Sequence, residues 1–182
     1  DCDGESVYVI GGANSAGQAA MNLSRYAKQV TIVSRRTLED SMSHYLIQQI
    51  RATDNIAEMP YTVVHAATGN GHLEGICLEN TQTGERHDVQ CGRMFIFIGA
   101  EPRTDWLDGV IARDDHGFIL AGPDLREVVG WTLDRAPHHL ETSVPGVFVA
   151  GDVRAESAKR VAAAVGEGSM AVMFVHRYLA EA

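Results

Sequence analysis

Apolar residues along this chain fall into short runs and helical stripes that alternate, the texture of a sheet with helices packed on it. Ser6–Ile10 (SVYVI) is a short apolar run ending at Gly11-Gly12, and an alanine-rich stretch with helical spacing follows over residues 14–27. A second apolar run at residues 30–34 (VTIVS) completes a segment the size of a βαβ unit, so the two strands are predicted to be parallel. Ser41 is placed to cap a further helix reaching Ala52, with Tyr45, Leu46 and Ile50 on its apolar side, and residues 53–55 read as a loop.

From residue 61 the texture changes. Segments 61–66, 73–79 and 85–90 are β-prone and separated by Gly-Asn-Gly and Thr-Gly turns, which predicts an antiparallel meander. Residues 93–98 (RMFIFI) read as a fully apolar strand that returns to the central sheet and stops at Gly99-Ala100, shortly before Pro102. Residues 103–142 have weak periodicity and scattered Gly and Pro, with apolar mass only around Trp106 and Trp131, so a loop-rich cover is expected. The run GVFVA at 146–150 reads as another buried strand, Gly151-Asp152 as a turn, and residues 157–180 as a long helix broken near Gly166-Glu167-Gly168. The fold class is α/β, a Rossmann-like three-layer domain with a meander.

Composition narrows the functions that fit. The 182 residues carry 15 basic and 24 acidic side chains, a formal charge of −9, with 45% hydrophobic residues and 18 glycines. This is globular composition with a mild excess of the residue that tight turns use. The acidic balance without clustered Lys and Arg opposes binding to nucleic acid or acidic membranes. Cys2, Cys77 and Cys91 form no C-x-x-C pair, so neither a zinc knuckle nor a disulfide framework is expected, the cytoplasm is the expected compartment, and Cys77 and Cys91 read as buried strand residues. No apolar run approaches the roughly 20 residues of a membrane helix. The chain begins at Asp1 directly before a strand, so an upstream segment is expected.

Gly11-Gly12-Ala13-Asn14-Ser15-Ala16 lies between a strand and a helix, the context in which a glycine loop points helix N-terminal N–H groups at a pyrophosphate. Ala13 stands at the middle glycine of G-x-G-x-x-G/A, and the same loop is also readable as a turn using glycine only for its backbone freedom. The second strand ends in Arg35-Arg36 where an NAD site offers Asp or Glu; two guanidiniums suit a 2′-phosphate, so NADPH is preferred over NADH, the bland reading being a solvated basic turn. Asp152 at the end of GVFVA is readable either as an acceptor for ribose-like or ribityl hydroxyls or as a helix cap, and Lys159-Arg160-Val161 opens a helix N-terminus suited to a phosphate or an electron-rich ring edge. No nucleophile constellation is present, so no catalytic side chain is assigned. The adjacent His138-His139 read as surface loop residues, and no metal is expected. A short-chain dehydrogenase is excluded because neither Tyr26 nor Tyr45 has Lys four residues on.

VIGGANSAGQAA, VSRR and GVFVAGDVRAESAKRVAAAVGEGSMAV together resemble the thioredoxin-reductase-like branch of the FAD-dependent pyridine nucleotide-disulfide oxidoreductases over essentially the whole chain. The likeness is greatest to variants without the redox C-x-x-C, often fused to a cyclic-nucleotide-binding domain, which carry similar GGxNSAGQAA and SMSxYLI segments. The resemblance implies an NADPH-binding domain over residues 5–103 and, over 104–182, the carboxyl-terminal part of a second, partial FAD-binding domain whose amino-terminal half is absent. It implies that Gly11, Gly12, Asn14, Ser15 and Ala16 cradle the pyrophosphate, Arg35 and Arg36 the 2′-phosphate, and that Ile98, Gly99 and Ala100 line the nicotinamide side. Gly151 and Asp152 would take the flavin's ribityl chain, and Arg160 with Val161 the isoalloxazine edge. The family's His-Arg-Arg is Ser34-Arg35-Arg36 here, a further basic residue is replaced by Asp40, and Cys2-Asp3-Gly4 echoes the end of the redox motif without its usual connection to the glycine loop. The implied activity passes hydride from NADPH through FAD to a disulfide or another small-molecule or protein acceptor, in a parent flavoprotein expected to be a homodimer, the fragment alone being inactive. The alternative is an NADP(H)-binding redox sensor with vestigial catalysis, motivated by Ala13 and the missing dithiol.

Overall fold

The computed structural model describes residues 2–127 and 131–181, and these divide into two compact units, Asp1–Gly99 and Ala100–Ala182. In the first, strands β1 (Ser6–Ile10), β2 (Gln29–Val33), β3 (Ile56–Met59) and β7 (Met94–Ile96) form a parallel sheet in the order β3-β2-β1-β7. Helices α1 (Asn14–Leu23) and α2 (His44–Arg51) supply the crossovers. Strands β4 (Thr62–Thr68), β5 (Gly75–Asn80) and β6 (Arg86–Gln90) form the antiparallel meander, with a register irregularity between Val64 and Ala66.

The pleat of the parallel sheet sorts its side chains into two cores. Val7, Val9, Val30 and Ile32 pack with Ala16, Ala20 and the α2 residues Leu46, Ile47 and Ile50. Their alternates Tyr8, Ile10 and Val33 face Ile76, Leu78, Val89 and Cys91 of the meander segment. Helices, parallel sheet and meander are therefore three layers, as the hydrophobic pattern predicts. Each fully buried Val or Ile contributes about 1.5–3 kcal/mol relative to exposure, so the sheet is the rigid part of this unit.

Several elements differ from the sequence expectations. Helix α1 stops at Leu23 instead of Ala27, where Ser24 Oγ donates to the Met21 carbonyl (2.9 Å) and competes with the backbone ladder. Ser41 caps no helix: Leu38–Asp40 is a 3-10 turn, and α2 begins only after Ser43. Tyr45 is not core but 58% exposed, because Leu46, Ile47 and Ile50 define the buried stripe. Strand β3 lies in a stretch too short and mixed (IAEM) to announce itself; its pairing with β2 makes it a strand. Cys77 on β5 is half-buried rather than buried, whereas Cys91 is buried.

The second unit has little regular structure. Leu107, Ile119, Ala121 and Val149 form a small core, beside helix α3 (Val161–Glu181). GVFVA is not a strand: Phe148 makes one bridge, to Glu141, and a buried strand is defined by neighbours that this run lacks among the described residues. Nor is α3 broken at Gly166 and Gly168. It is continuous, and only Phe174 on it is buried, while Val165, Val172, Met173 and Leu179 are exposed. His138 is not a surface residue; its side chain is 11% exposed and its ring clusters with Phe148 and Phe174, with centroids 6.3 and 5.5 Å away.

Candidate cofactor-binding turns

Parallel pairing places Ile10 beside Val33 on one side and Ile96 on the other. The residues that follow, Gly11, Ser34 and Phe97, therefore emerge together at the carboxyl end of three adjacent strands, where open α/β sheets bind ligands. Gly11 has φ +144°, and a Cβ there would overlap the Phe97 carbonyl oxygen, so glycine is required at this crossing. Its N–H donates to the Val33 carbonyl at 2.9 Å. Ala13 occupies the N-cap position of α1 in extended conformation and provides no side-chain cap, and the first turn holds no acidic residue. The N–H groups opening α1 are thus left without a side-chain acceptor, in a positive dipole field.

Asn14 and Ser15 are exposed and Ala16 is buried against the sheet. Arg35 and Arg36 are exposed at the end of β2 and form no ion pair among the described residues. Buried Ser34 shapes their turn by donating its Oγ proton to the Arg36 carbonyl (2.7 Å). Asp40 is exposed, and the nearby Glu39 carboxyl is held below its usual value by its own backbone N–H and then by Arg51, bound at 2.8 Å. Ile98 and Gly99, just past β7, are exposed. The structure therefore gathers Gly11, Gly12, Asn14, Ser15, Ala16, Arg35, Arg36, Ile98 and Gly99 at one end of one sheet. This donor-rich, uncapped, cation-flanked turn fits a phosphorylated dinucleotide.

The remaining expected residues belong to the second unit. Gly151 has φ +81°, its N–H donates to Glu167 Oε2 at 2.7 Å, and Arg154 Nη2 donates to Glu167 Oε1 at 2.6 Å. The clasp ties the Gly151-Asp152 turn to α3. Hydrogen bonds from Arg154 and Gly151 outweigh burial and hold the Glu167 carboxyl below the ordinary range. Asp152 is exposed and lies nine residues before Val161, so it does not cap α3. Arg160 accepts from the Ala164 N–H (2.9 Å) and so opens the helix, and Val161 is 83% exposed beside it. Just upstream, Glu156 and Lys159 hold φ of +56° and +47°, a conformation costly for side-chain-bearing residues. Lys159 is anchored with Nζ 3.8 Å from the Phe118 ring centroid. An exposed carboxylate on a pinned turn and an open helix start fit the hydroxyls and ring edge of a flavin.

Sequence reasoning missed the residues that hold these turns. Ser41 and Ser43 reach back across 29 positions to Gly12 and Asn14, and Glu167 reaches back 16 to Gly151. It also missed Glu141, fully buried, which takes Arg135 on both oxygens (2.7 and 2.9 Å) and the His138 and Gly146 N–H groups at 2.9 Å each. Burial alone would push Glu141 up; Arg135 and the two N–H groups hold it below its usual value. For Glu167 the available signal was a lone carboxylate between Gly166 and Gly168, since such groups are seldom buried unless paired, whereas Glu141, between His139-Leu140 and Thr142-Ser143, carries no such signal.

Residues 2–168 match the family described as pyridine nucleotide-disulphide oxidoreductase. A thioredoxin reductase of Streptomyces clavuligerus is 34% identical over 98% of this chain and 52% of its own length. That of Mycolicibacterium smegmatis is 31% identical over 99% of this chain and 55% of its own. The crystal structure of thioredoxin reductase from Streptococcus pyogenes superposes with a TM-score of 0.68 at 31% identity, covering 99% of this chain and 54% of that one. The chain thus spans about half the length of the curated relatives it matches. The thioredoxin-reductase-like resemblance and the Rossmann-like α/β class are borne out.

Proposed function

The chain belongs to the pyridine nucleotide-disulphide oxidoreductase family, and on that premise we propose that it is part of an NADPH- and FAD-dependent, thioredoxin-reductase-like enzyme. In this reading residues 5–103 are the NADPH-binding domain and residues 104–182 the carboxyl-terminal segment of the FAD-binding domain. The observation that carries the NADPH assignment is the start of α1, where the Ala13 cap position offers no side-chain acceptor, at a strand end flanked by two guanidiniums without an ion pair among the described residues. Backbone N–H groups there suit a pyrophosphate, and Arg35 with Arg36 a 2′-phosphate. Asp152 accepts ribityl hydroxyls, and Arg160 and Val161 present the helix start to the ring edge.

Bound FAD would supply the hydride acceptor and pass electrons to a disulfide or another small-molecule or protein acceptor. The protein's own part is to hold the nicotinamide dinucleotide in one orientation. The amino-terminal FAD half and a second copy of the chain are the proposed partners, supported by the apolar residues exposed along α3 and by the half-length match to the relatives. Among the described residues no helix is long and apolar enough to cross a membrane. The three cysteines are free thiols, which supports the cytoplasm as the compartment.

The test is the visible spectrum of the protein expressed from its full reading frame, before and after anaerobic NADPH. Flavin bands that bleach with NADPH are expected, and a colourless protein would overturn the assignment.

A further inference from the structure

Ser41 does not cap the helix expected of it, yet Ser41 and Ser43 grip the glycine loop. Ser41 Oγ donates to the Gly12 carbonyl at 3.0 Å. Asn14 Oδ1 accepts from both the Ser43 backbone N–H (2.8 Å) and the Ser43 hydroxyl (2.9 Å). Between them, Met42 is buried so close to α1 that a Cβ at Gly17 would meet its sulfur at 2.8 Å, which holds the segment against the loop.

We infer that Ser41 and Ser43 are positioning residues that set the polarity of the loop toward a pyrophosphate. The inference rests on the NADPH reading above. In a trans peptide the C=O and N–H point in opposite directions, and no described peptide here is cis. Holding the Gly12 carbonyl at Ser41 therefore turns the Ala13 N–H the other way. If that peptide rotated, a carbonyl oxygen would face the phosphates in place of an N–H. Ser43 does the same for a side chain. A backbone N–H can only donate, so the Asn14 atom facing it must be the oxygen, and the Nδ2 donors are directed away from Ser43. Both serines thus convert ambiguous groups into donors at an anion site, without touching the ligand.

The test is calorimetric titration of this chain with NADPH and with NADH, for the native protein and for Ser41→Ala, Ser43→Ala, Ser41→Thr and Ser43→Thr. Ser41→Ala should weaken NADPH about 3- to 10-fold, the scale of one ordering hydrogen bond, whereas Ser43→Ala loses the hydroxyl contact, keeps the backbone N–H that fixes Asn14, and should weaken it by less. The threonine variants should restore binding, because they keep the hydroxyl. The NADPH-to-NADH ratio should stay constant in the serine variants, since both cofactors share the pyrophosphate, whereas Arg35→Ala should lower it. Amide exchange reads the clasp without cofactor: the Ser43 N–H should be protected in the native chain and lose protection in Asn14→Ala. Native-strength NADPH binding by both alanine variants, or a changed cofactor ratio, overturns the positioning role alone. A protected Ser43 N–H in a native chain that does not bind NADPH overturns the cofactor reading and this inference with it.

Discussion

Replacing Glu141 with Gln is the sharpest test of how the second unit is held together. Each carboxylate oxygen serves two donors: Oε1 takes Arg135 Nη2 and the Gly146 N–H, and Oε2 takes Arg135 Nη1 and the His138 N–H. Glutamine keeps the shape but replaces one oxygen with an NH₂, which in either flip faces two donors. Two hydrogen bonds to an ionised carboxylate, at about 1.5–3 kcal/mol each, are lost together. The sum, about 3–6 kcal/mol, overlaps the roughly 3–5 kcal/mol for breaking a buried ion pair by removing one partner. Against a domain stability of about 5–15 kcal/mol this is a large fraction. Trp106 and Trp131 are the two tryptophans of the chain, and both lie in this unit, so urea unfolding followed by tryptophan fluorescence reports on it selectively. Arg135 also sits 5.5 Å from the Trp131 ring centroid, and Trp131 Nε1 donates to the Arg135 carbonyl, so the folded-state spectrum should shift as well. A loss below about 1 kcal/mol, beside an exposed control such as Glu101→Gln, would refute the assignment of Glu141 as the hub of this unit.

Acid should weaken the same unit. Glu141 and Glu167 are both held below the ordinary glutamate value of 4.5, so their stabilisation is complete above that pH and is lost as pH falls through the folded-state values. Unfolding free energies between pH 7 and 3 should show this decline, with a shallower slope in Glu141→Gln. Gly11→Ala should destabilise the first unit by about 1–3 kcal/mol, because the new methyl overlaps the Phe97 carbonyl at a backbone angle side chains avoid; circular dichroism melts check it. Burial pushes the thiols of Cys77 and Cys91 up, so Cys91, which is also inaccessible, should resist iodoacetamide at pH 8 until the unit opens. Peptide mapping after timed alkylation would contradict this if Cys91 were modified as fast as in urea. Glu167→Gln should weaken FAD binding by the full-length protein, read from flavin fluorescence titration, and unchanged affinity would count against the clasp on Gly151.

What the sequence made legible was whatever is local. SVYVI followed by two glycines and an alanine-rich stripe specifies strand, turn and helix within a window of about twenty residues, and Arg35-Arg36 follows a strand visible by the same rule. What stayed hidden depends on partners. IAEM is a strand because β2 lies beside it, and GVFVA, a better strand by pattern, is not one because only Glu141 bridges to it. Gly166 and Gly168 do not interrupt α3: each costs about 1 kcal/mol against alanine, which a helix of 21 residues tolerates. The serine and glutamate clasps carry no periodic signal at all, being single contacts across 13 to 29 positions.

The two turns use such clasps to opposite electrostatic ends. At the first, the cap position is Ala13, and a Ser or Asp there would stabilise α1 by about 1 kcal/mol while occupying N–H groups an anion needs. The serines instead act from outside, on a carbonyl and a side-chain oxygen, and leave the backbone donors open. At the second, the Gly151 N–H is itself taken by Glu167, whose charge is balanced by Arg154, and the group left exposed is the Asp152 carboxylate. A turn whose donor is consumed and whose carboxylate is offered repels phosphate and accepts hydroxyls. On the proposed reading the first turn takes the charged bridge of a dinucleotide and the second a polyol chain, and this contrast in what each turn leaves exposed is the division of labour that the proposed NADPH and FAD sites require.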